Sequence, residues 1–298
     1  MNVSGIYPAL TTPFEADGSV SIAGLKHNIQ LYNETRLAGY VVLGSTGESV
    51  MISRDEADQI LAAVKETAAP GRILIAGTGA ESTAETIART RRAAAMGYQV
   101  ALVKTPYYYK PMYRAEHFLT HYRAVADASP IPVLLYSVPI FTGVTLEASE
   151  IIALAQHPNI VGIKDSSGSI QRIGEVIAGA SGQFQVLTGG AALIYPCLGM
   201  GGRGAILAVA CLLPEKCVEL YEMFQQGRHE EAREAQLQIL SASKTALGEH
   251  GIPGLKYAME LRGYKGGYPR APLLPVKEEK KRAIADFIAE RFPAVARV

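Results

Sequence analysis

The feature that most constrains the fold is a short apolar run, rich in β-branched residues, that recurs eight times in the first two-thirds of the chain. The runs are Ile6–Leu10, Tyr40–Leu43, Ile73–Ala76, Val100–Val103, Val133–Tyr136, Ile160–Ile163, Phe184–Leu187 and Ala205–Val209. Runs that are apolar on both faces suit parallel strands covered on both sides. Segments with helical spacing lie between them, among them Glu56–Glu66, Thr83–Ala95, Ala115–Ala128 and Ala148–Gln156. Ser53 with Glu56, and Ser82 with Glu85, have the Ser-x-x-Glu spacing of a capping box. Strands about 20 to 35 residues apart call for βα units rather than hairpins. Eight such units in about 210 residues predict an α/β fold, a (β/α)8 TIM barrel. A doubly wound open sheet is the competitor, but no Gly-x-Gly-x-x-Gly follows the first strand and no phosphate loop is present.

Beyond the eighth run the pattern is helical from Pro214 to Arg297, broken at Gly251–Gly254 and Gly263–Pro275. The expected organisation is a barrel over residues 1–225 carrying the active site. A C-terminal helical extension over 226–298 packs on it, within one structural unit. Twenty-nine Lys and Arg against 28 Asp and Glu leave a net charge of +1, no strong whole-chain field to draw in nucleic acid or an anionic membrane, which leaves room only for a local basic patch. The first residues, MNVSGIYPALTTPF, lack the basic and apolar pattern of a secretory signal, and no apolar stretch reaches the ~20 residues of a membrane span. Cys197, Cys211 and Cys217 fall in no metal spacing and read as small core residues. The expectation is a cytoplasmic enzyme.

In such a barrel, chemistry gathers where the strands end at their C-termini. Those ends carry Thr11-Thr12, Gly44-Ser45-Thr46-Gly47-Glu48, Thr105-Pro106-Tyr107-Tyr108-Tyr109, Tyr136-Ser137-Val138-Pro139 and Lys164-Asp165-Ser166-Ser167. No His stands at any of them and acidic groups are scarce, which argues against a catalytic zinc or a metal-dependent aldolase. Lys164 closes the run Ile160-Val161-Gly162-Ile163. Apolar walls disfavour an ammonium ion, and a neutral amine attacks a ketone to form a Schiff base. The alternative for Lys164 is a buried ion pair with Asp165 or Glu48. Tyr136 ends the neighbouring strand and offers a phenol that carries protons without a permanent charge. Its alternative is a core aromatic with a satisfied hydroxyl. Gly44-Ser45-Thr46-Gly47 offers N–H groups and two hydroxyls to a carboxylate, although the same four residues also make ordinary turns.

Taken in order, these motifs resemble the dihydrodipicolinate synthase/N-acetylneuraminate lyase family of Schiff-base, pyruvate-handling aldolases, over essentially the whole chain. The resemblance implies Lys164 as the Schiff-base lysine and Tyr136 as the proton-transferring phenol. It implies Ser45 and Thr46 as the holders of the pyruvate carboxylate. Tyr108 would cross a dimer interface to join Tyr136 and Ser45 of the neighbouring subunit, in a homotetramer built as a dimer of dimers. Ser166, Gly189 and Ile206 complete the substrate-binding set, and no cofactor or metal is implied.

Within the family, synthases usually carry an Arg two residues after Tyr-Asn-Val-Pro to bind the carboxylate of aspartate semialdehyde. Here Tyr136-Ser137-Val138-Pro139-Ile140 is followed by Phe141, and a ring cannot replace a bidentate guanidinium. Gly189-Gly190-Ala191-Ala192 has no polar side chain for sugar hydroxyls. The likeness is greatest to the 4-hydroxy-2-oxoglutarate aldolase branch. It runs through His157-Pro158-Asn159, Gly251-Ile252-Pro253-Gly254-Leu255-Lys256 and Gly263-Tyr264-Lys265-Gly266-Gly267. It implies cleavage of 4-hydroxy-2-oxoglutarate to pyruvate and glyoxylate. The alternatives are the synthase reaction, an aldolase or dehydratase of 2-keto-3-deoxy sugar acids, and a non-catalytic 2-keto acid sensor. Thr46 replaces an Asn of the vertebrate-type enzymes, and Lys104 stands where an apolar residue is usual. Lys104 is expected to face the helical layer and reach solvent, or else to point into the barrel mouth. Arg172 and Lys256 are expected at the surface or at a helix C-terminus.

Overall fold

The computed structural model describes residues 1–292, and the last residues of the expected helical extension, 293–298, lie outside it. All eight apolar runs form strands: β1 (Gly5–Pro8), β2 (Gly39–Val42), β3 (Ile73–Gly77), β4 (Val100–Lys104), β5 (Val133–Ser137), β6 (Ile160–Asp165), β7 (Gln185–Thr188) and β8 (Gly204–Leu207). They pair in parallel in the order β1-β8-β7-β6-β5-β4-β3-β2. The sheet closes where Ala9 bridges Val41 and the Leu10 N–H donates to the Val41 carbonyl at 2.9 Å. The result is a (β/α)8 barrel.

Strand ends differ from the sequence reading by a residue or two. Val209 leaves β8 for a 3₁₀ turn, whereas β6 runs on through Lys164 to Asp165. The interior holds Tyr7, Val41, Ile75, Leu102, Leu134, Tyr136, Leu187 and Ile206 in one buried cluster. Two further clusters lie between the strands and the helical layer.

The outer layer comprises α1 (Ile22–Asn33), α2 (Arg54–Thr67), α3 (Thr83–Ala95), α4 (Ala115–Ala128), the short α5 (Pro139–Thr142), α6 (Ala148–Leu154), α7 (Ile170–Gly179), α8 (Ile194–Gly199) and α9 (Pro214–Gln225). Then come α10 (His229–Ala246), α11 (Gly251–Leu261) and α12 (Glu278–Arg291). The Ser53–Glu56 capping box forms in full, each side chain meeting the other residue's N–H. Only half of the second forms. Ser82 caps the Glu85 N–H, but the Glu85 carboxylate pairs with Arg89 at 2.8 Å. Gly251-Ile252-Pro253-Gly254, expected as a break, is the first turn of α11, where a proline's missing N–H leaves no bond unmade. All three cysteines are free and buried.

Candidate active site

The site begins with a register change. Val133 pairs with Ile160, but Leu134 pairs with Gly162, so β6 holds one extra residue, Val161, at that point. Such a bulge re-aims every side chain that follows. Tyr136 consequently faces Lys164, with Leu187 on the other side of Lys164 in β7. The Lys164 amine lies over the Tyr136 ring, 4.2 Å from its centroid, and the residue is 3% exposed.

Both carboxylates that could have paired with Lys164 are taken. Asp165 receives Arg172 at 2.7 Å and Glu48 receives Lys256 at 2.5 Å, and all four residues are buried. Arg172 and Lys256 are therefore not surface residues. Arg172 sits in the first turn of α7 and reaches inward, donating also to the Ser137 hydroxyl at 3.1 Å and the Leu146 carbonyl. Asp165 in turn accepts from the Ser167 N–H and hydroxyl. Lys256 projects from α11, where burial pushes its pKa below the ordinary lysine value while Glu48 opposes that shift. The Glu48–Lys256 pair was beyond sequence reasoning because its partners are 208 residues apart, and the Asp165–Arg172 pair because its partners, seven residues apart, stand on a strand and on the helix that follows, with no shared period to mark them.

The Tyr136 hydroxyl lies 3.3 Å from the Ser45 hydroxyl. In the Gly44–Glu48 loop, the Gly47 and Glu48 N–H groups are used internally, on the Gly44 and Ser45 carbonyls. Among the described residues the Gly44, Ser45 and Thr46 N–H groups donate to no protein acceptor, so the anion cradle narrows to those three. Ser45 and Thr46 are both half-buried. Thr12 holds the loop from β1, donating to the Gly47 carbonyl at 2.8 Å.

Gly189 closes the other side. A Cβ there would lie 1.9 Å from the Ser166 Oγ and 3.1 Å from the Lys164 Cε. Ser166 is half-buried beside it, whereas Ile206 is fully enclosed in the interior cluster with no surface open to a ligand.

Tyr108 is not brought to this group within the chain. It is 71% exposed, its ring edge-on to Tyr109, and its N–H donates to Glu81. Lys104 faces Tyr136 in register, yet its amine turns away into a cavity of about 240 Å³ beneath α2 and α3. There it lies 3.6 Å from Glu81 and 4.9 Å from the Tyr107 ring centroid. Lys104 thus faces the helical layer, as the first expectation has it, but its amine is held by Glu81 instead of running free into solvent. Burial lowers its pKa, against the pull of Glu81. Among the described residues no group of three or more His, Cys, Asp and Glu side chains is placed to hold a metal ion.

The dihydrodipicolinate synthetase family profile matches residues 2–291. The chain belongs to that family. It is a lyase of the family's Schiff-base-forming kind. It is 34% identical to a 4-hydroxy-tetrahydrodipicolinate synthase of Methanothrix thermoacetophila over 287 residues, 96% of each chain. It is 35% identical to a probable mitochondrial 4-hydroxy-2-oxoglutarate aldolase of Emericella nidulans, covering 97% of this chain and 94% of that one. Among solved structures, a Bacillus anthracis dihydrodipicolinate synthase superposes with a TM-score of 0.92 at 26% identity, over 98% of this chain and 99% of that one. Among the described residues no helix is long and apolar enough to cross a membrane.

Proposed function

We propose that this member of the dihydrodipicolinate synthetase family cleaves 4-hydroxy-2-oxoglutarate to pyruvate and glyoxylate. Lys164, as the neutral amine, attacks the C2 carbonyl. Tyr136 supplies the proton on which water departs, leaving an iminium. That cationic nitrogen accepts the electrons of the C3–C4 bond as it breaks. The C4 hydroxyl gives its proton to the relay, glyoxylate leaves, and the enamine is protonated and hydrolysed to pyruvate and the free lysine. Ser45 and Thr46 hold the carboxylate next to the ketone, with Ser166 and Gly189 bounding the substrate. Tyr108 serves the neighbouring subunit's relay in a homotetramer. Its exposure favours that role, since a phenol pointing outward from one chain is free to enter another.

The observation that carries the substrate choice is Phe141. It is 62% exposed in α5, just past Tyr136, where the synthases of the resemblance carry their Arg. Losing a charge-assisted bidentate contact costs about 10²-fold in rate. Assayed side by side on one preparation, cleavage of 4-hydroxy-2-oxoglutarate should exceed the synthase reaction in kcat/KM by at least about tenfold. Phe141→Arg should narrow the gap. Efficient condensation of pyruvate with aspartate semialdehyde by the unmodified protein would reverse the assignment, in keeping with the synthase names of several relatives.

A further inference from the structure

Two non-glycine residues of the described chain have positive φ, Leu43 at 59° and Glu48 at 58°. They stand at the two ends of Gly44-Ser45-Thr46-Gly47. Side chains disfavour the left-handed region, and such residues persist where the surroundings over-determine them. The over-determination at Glu48 is visible. Its carboxylate is enclosed, with Oε1 2.5 Å from the Lys256 Nζ and Oε2 accepting the Arg270 N–H at 2.8 Å. Lys256 is 1% exposed, donates also to the Tyr268 carbonyl at 2.7 Å, and lies over the Phe14 ring. Arg270 lies over the same ring and is anchored on Glu56 and the Met51 carbonyl. A segment distant in sequence thus grips the exit of the loop, while Thr12 grips the Gly47 carbonyl.

A buried ion pair is a poor device for stability alone, because apolar residues of similar volume often do as well. Here it fixes one turn in one conformation. We propose that Lys256 is a positioning residue for the reaction. Through Glu48 it holds the strained turn that aims the Ser45 and Thr46 N–H groups and the Ser45 hydroxyl at the carboxylate of the 2-keto acid. The inference rests on the reading above that a 2-keto acid carboxylate docks on this loop.

The test is the pyruvate concentration that half-saturates borohydride-trapped adduct, read by mass spectrometry on the intact chain. The paired variant Glu48→Gln/Lys256→Met removes both charges, keeps the volumes and keeps an acceptor for the Arg270 N–H. It should raise the half-saturating concentration about tenfold, with the maximal adduct fraction and melting temperature little changed. The Ser45–Glu48 amides should also exchange faster with solvent. Glu48→Gln alone, which keeps a hydrogen-bond acceptor for Lys256, should raise it about threefold. A purely structural role would reduce the trappable fraction and leave half-saturation where it was, and that result overturns the proposal. An unmoved half-saturation in Glu48→Gln overturns it too, should the paired variant not fold. Absence of any adduct in the unmodified chain would instead sink the Schiff-base reading, and the positioning role with it.

Discussion

Tyr136 faces Lys164 because β6 holds one residue more than β5 between the pairs Val133–Ile160 and Leu134–Gly162. Were Val161 paired with Leu134 instead of bulged out, the register would set Ile163 opposite Tyr136, and Lys164 would have Ser137 as its neighbour.

The contact predicts a separation of roles. Tyr136→Phe keeps the ring beneath the Lys164 amine and loses the hydroxyl 3.3 Å from Ser45. Folding and pyruvate binding should persist, while kcat falls by about 10² to 10⁴, the usual range for a lost general acid–base group. Steady-state kinetics with calorimetric binding measures both. A kcat within threefold of the unmodified protein would exclude Tyr136 from proton transfer.

Gly189→Ala should be harmful out of proportion to its size, because the added methyl would sit 1.9 Å from the Ser166 Oγ and 3.1 Å from the Lys164 Cε. A fall in kcat/KM of at least about tenfold is expected. Adding Ser166→Gly removes the atom in the way. Partial recovery in the double variant would tie the loss to that collision, and none would refute the tie.

Arg172→Leu leaves Asp165 buried beside the Schiff-base candidate without its cation. Breaking a buried pair by removing one partner costs about 3–5 kcal/mol. Calorimetry should show a melting temperature lower by about 10 °C, largely restored when Asp165→Asn is added. A shift under 3 °C would mean that water or another group already serves Asp165.

Stability should fall on the acid side through His121. Burial pushes its pKa down to about 4, and its Nδ1 shares a hydrogen bond with Thr83 at 2.9 Å. The folded value lies below the unfolded one of about 6.5. Between those values the unfolded chain binds more protons, so stability declines as pH drops from about 6.5 to 4, by about 2–3 kcal/mol. Urea titrations at pH 7 and pH 4.5 measure the decline, and His121→Gln should remove that share of it. An identical slope in the variant would assign the acid sensitivity elsewhere.

Much of this was legible in the sequence because the signals were local. Apolar runs gave the eight strands, and Thr83–Ala95 and Ala115–Ala128 are helices with the bounds that periodicity assigns. The neighbourhood of Lys164, Tyr136 and Ser45 followed from strand ends alone. What escaped depended on partners that arrive from another element or compete within one. The cations that claim Asp165 and Glu48 arrive from α7 and α11. Lys104 was indeterminate because its direction is set by Glu81, a loop residue on a different unit. The Ser82–Glu85 box failed on one side because Arg89, one turn further on, competes for the same carboxylate.

The three thiols have a practical side. Cys197 and Cys211 are raised to about 12 by burial, Cys217 is raised further, and none has appreciable exposed surface. At neutral pH the native chain therefore presents almost no thiolate to an alkylating reagent. A cysteine introduced at an exposed position such as Tyr109 would be the one reactive handle on the molecule. A fluorophore or spin label placed there could report the approach of a second subunit, with no need to strip the native cysteines first.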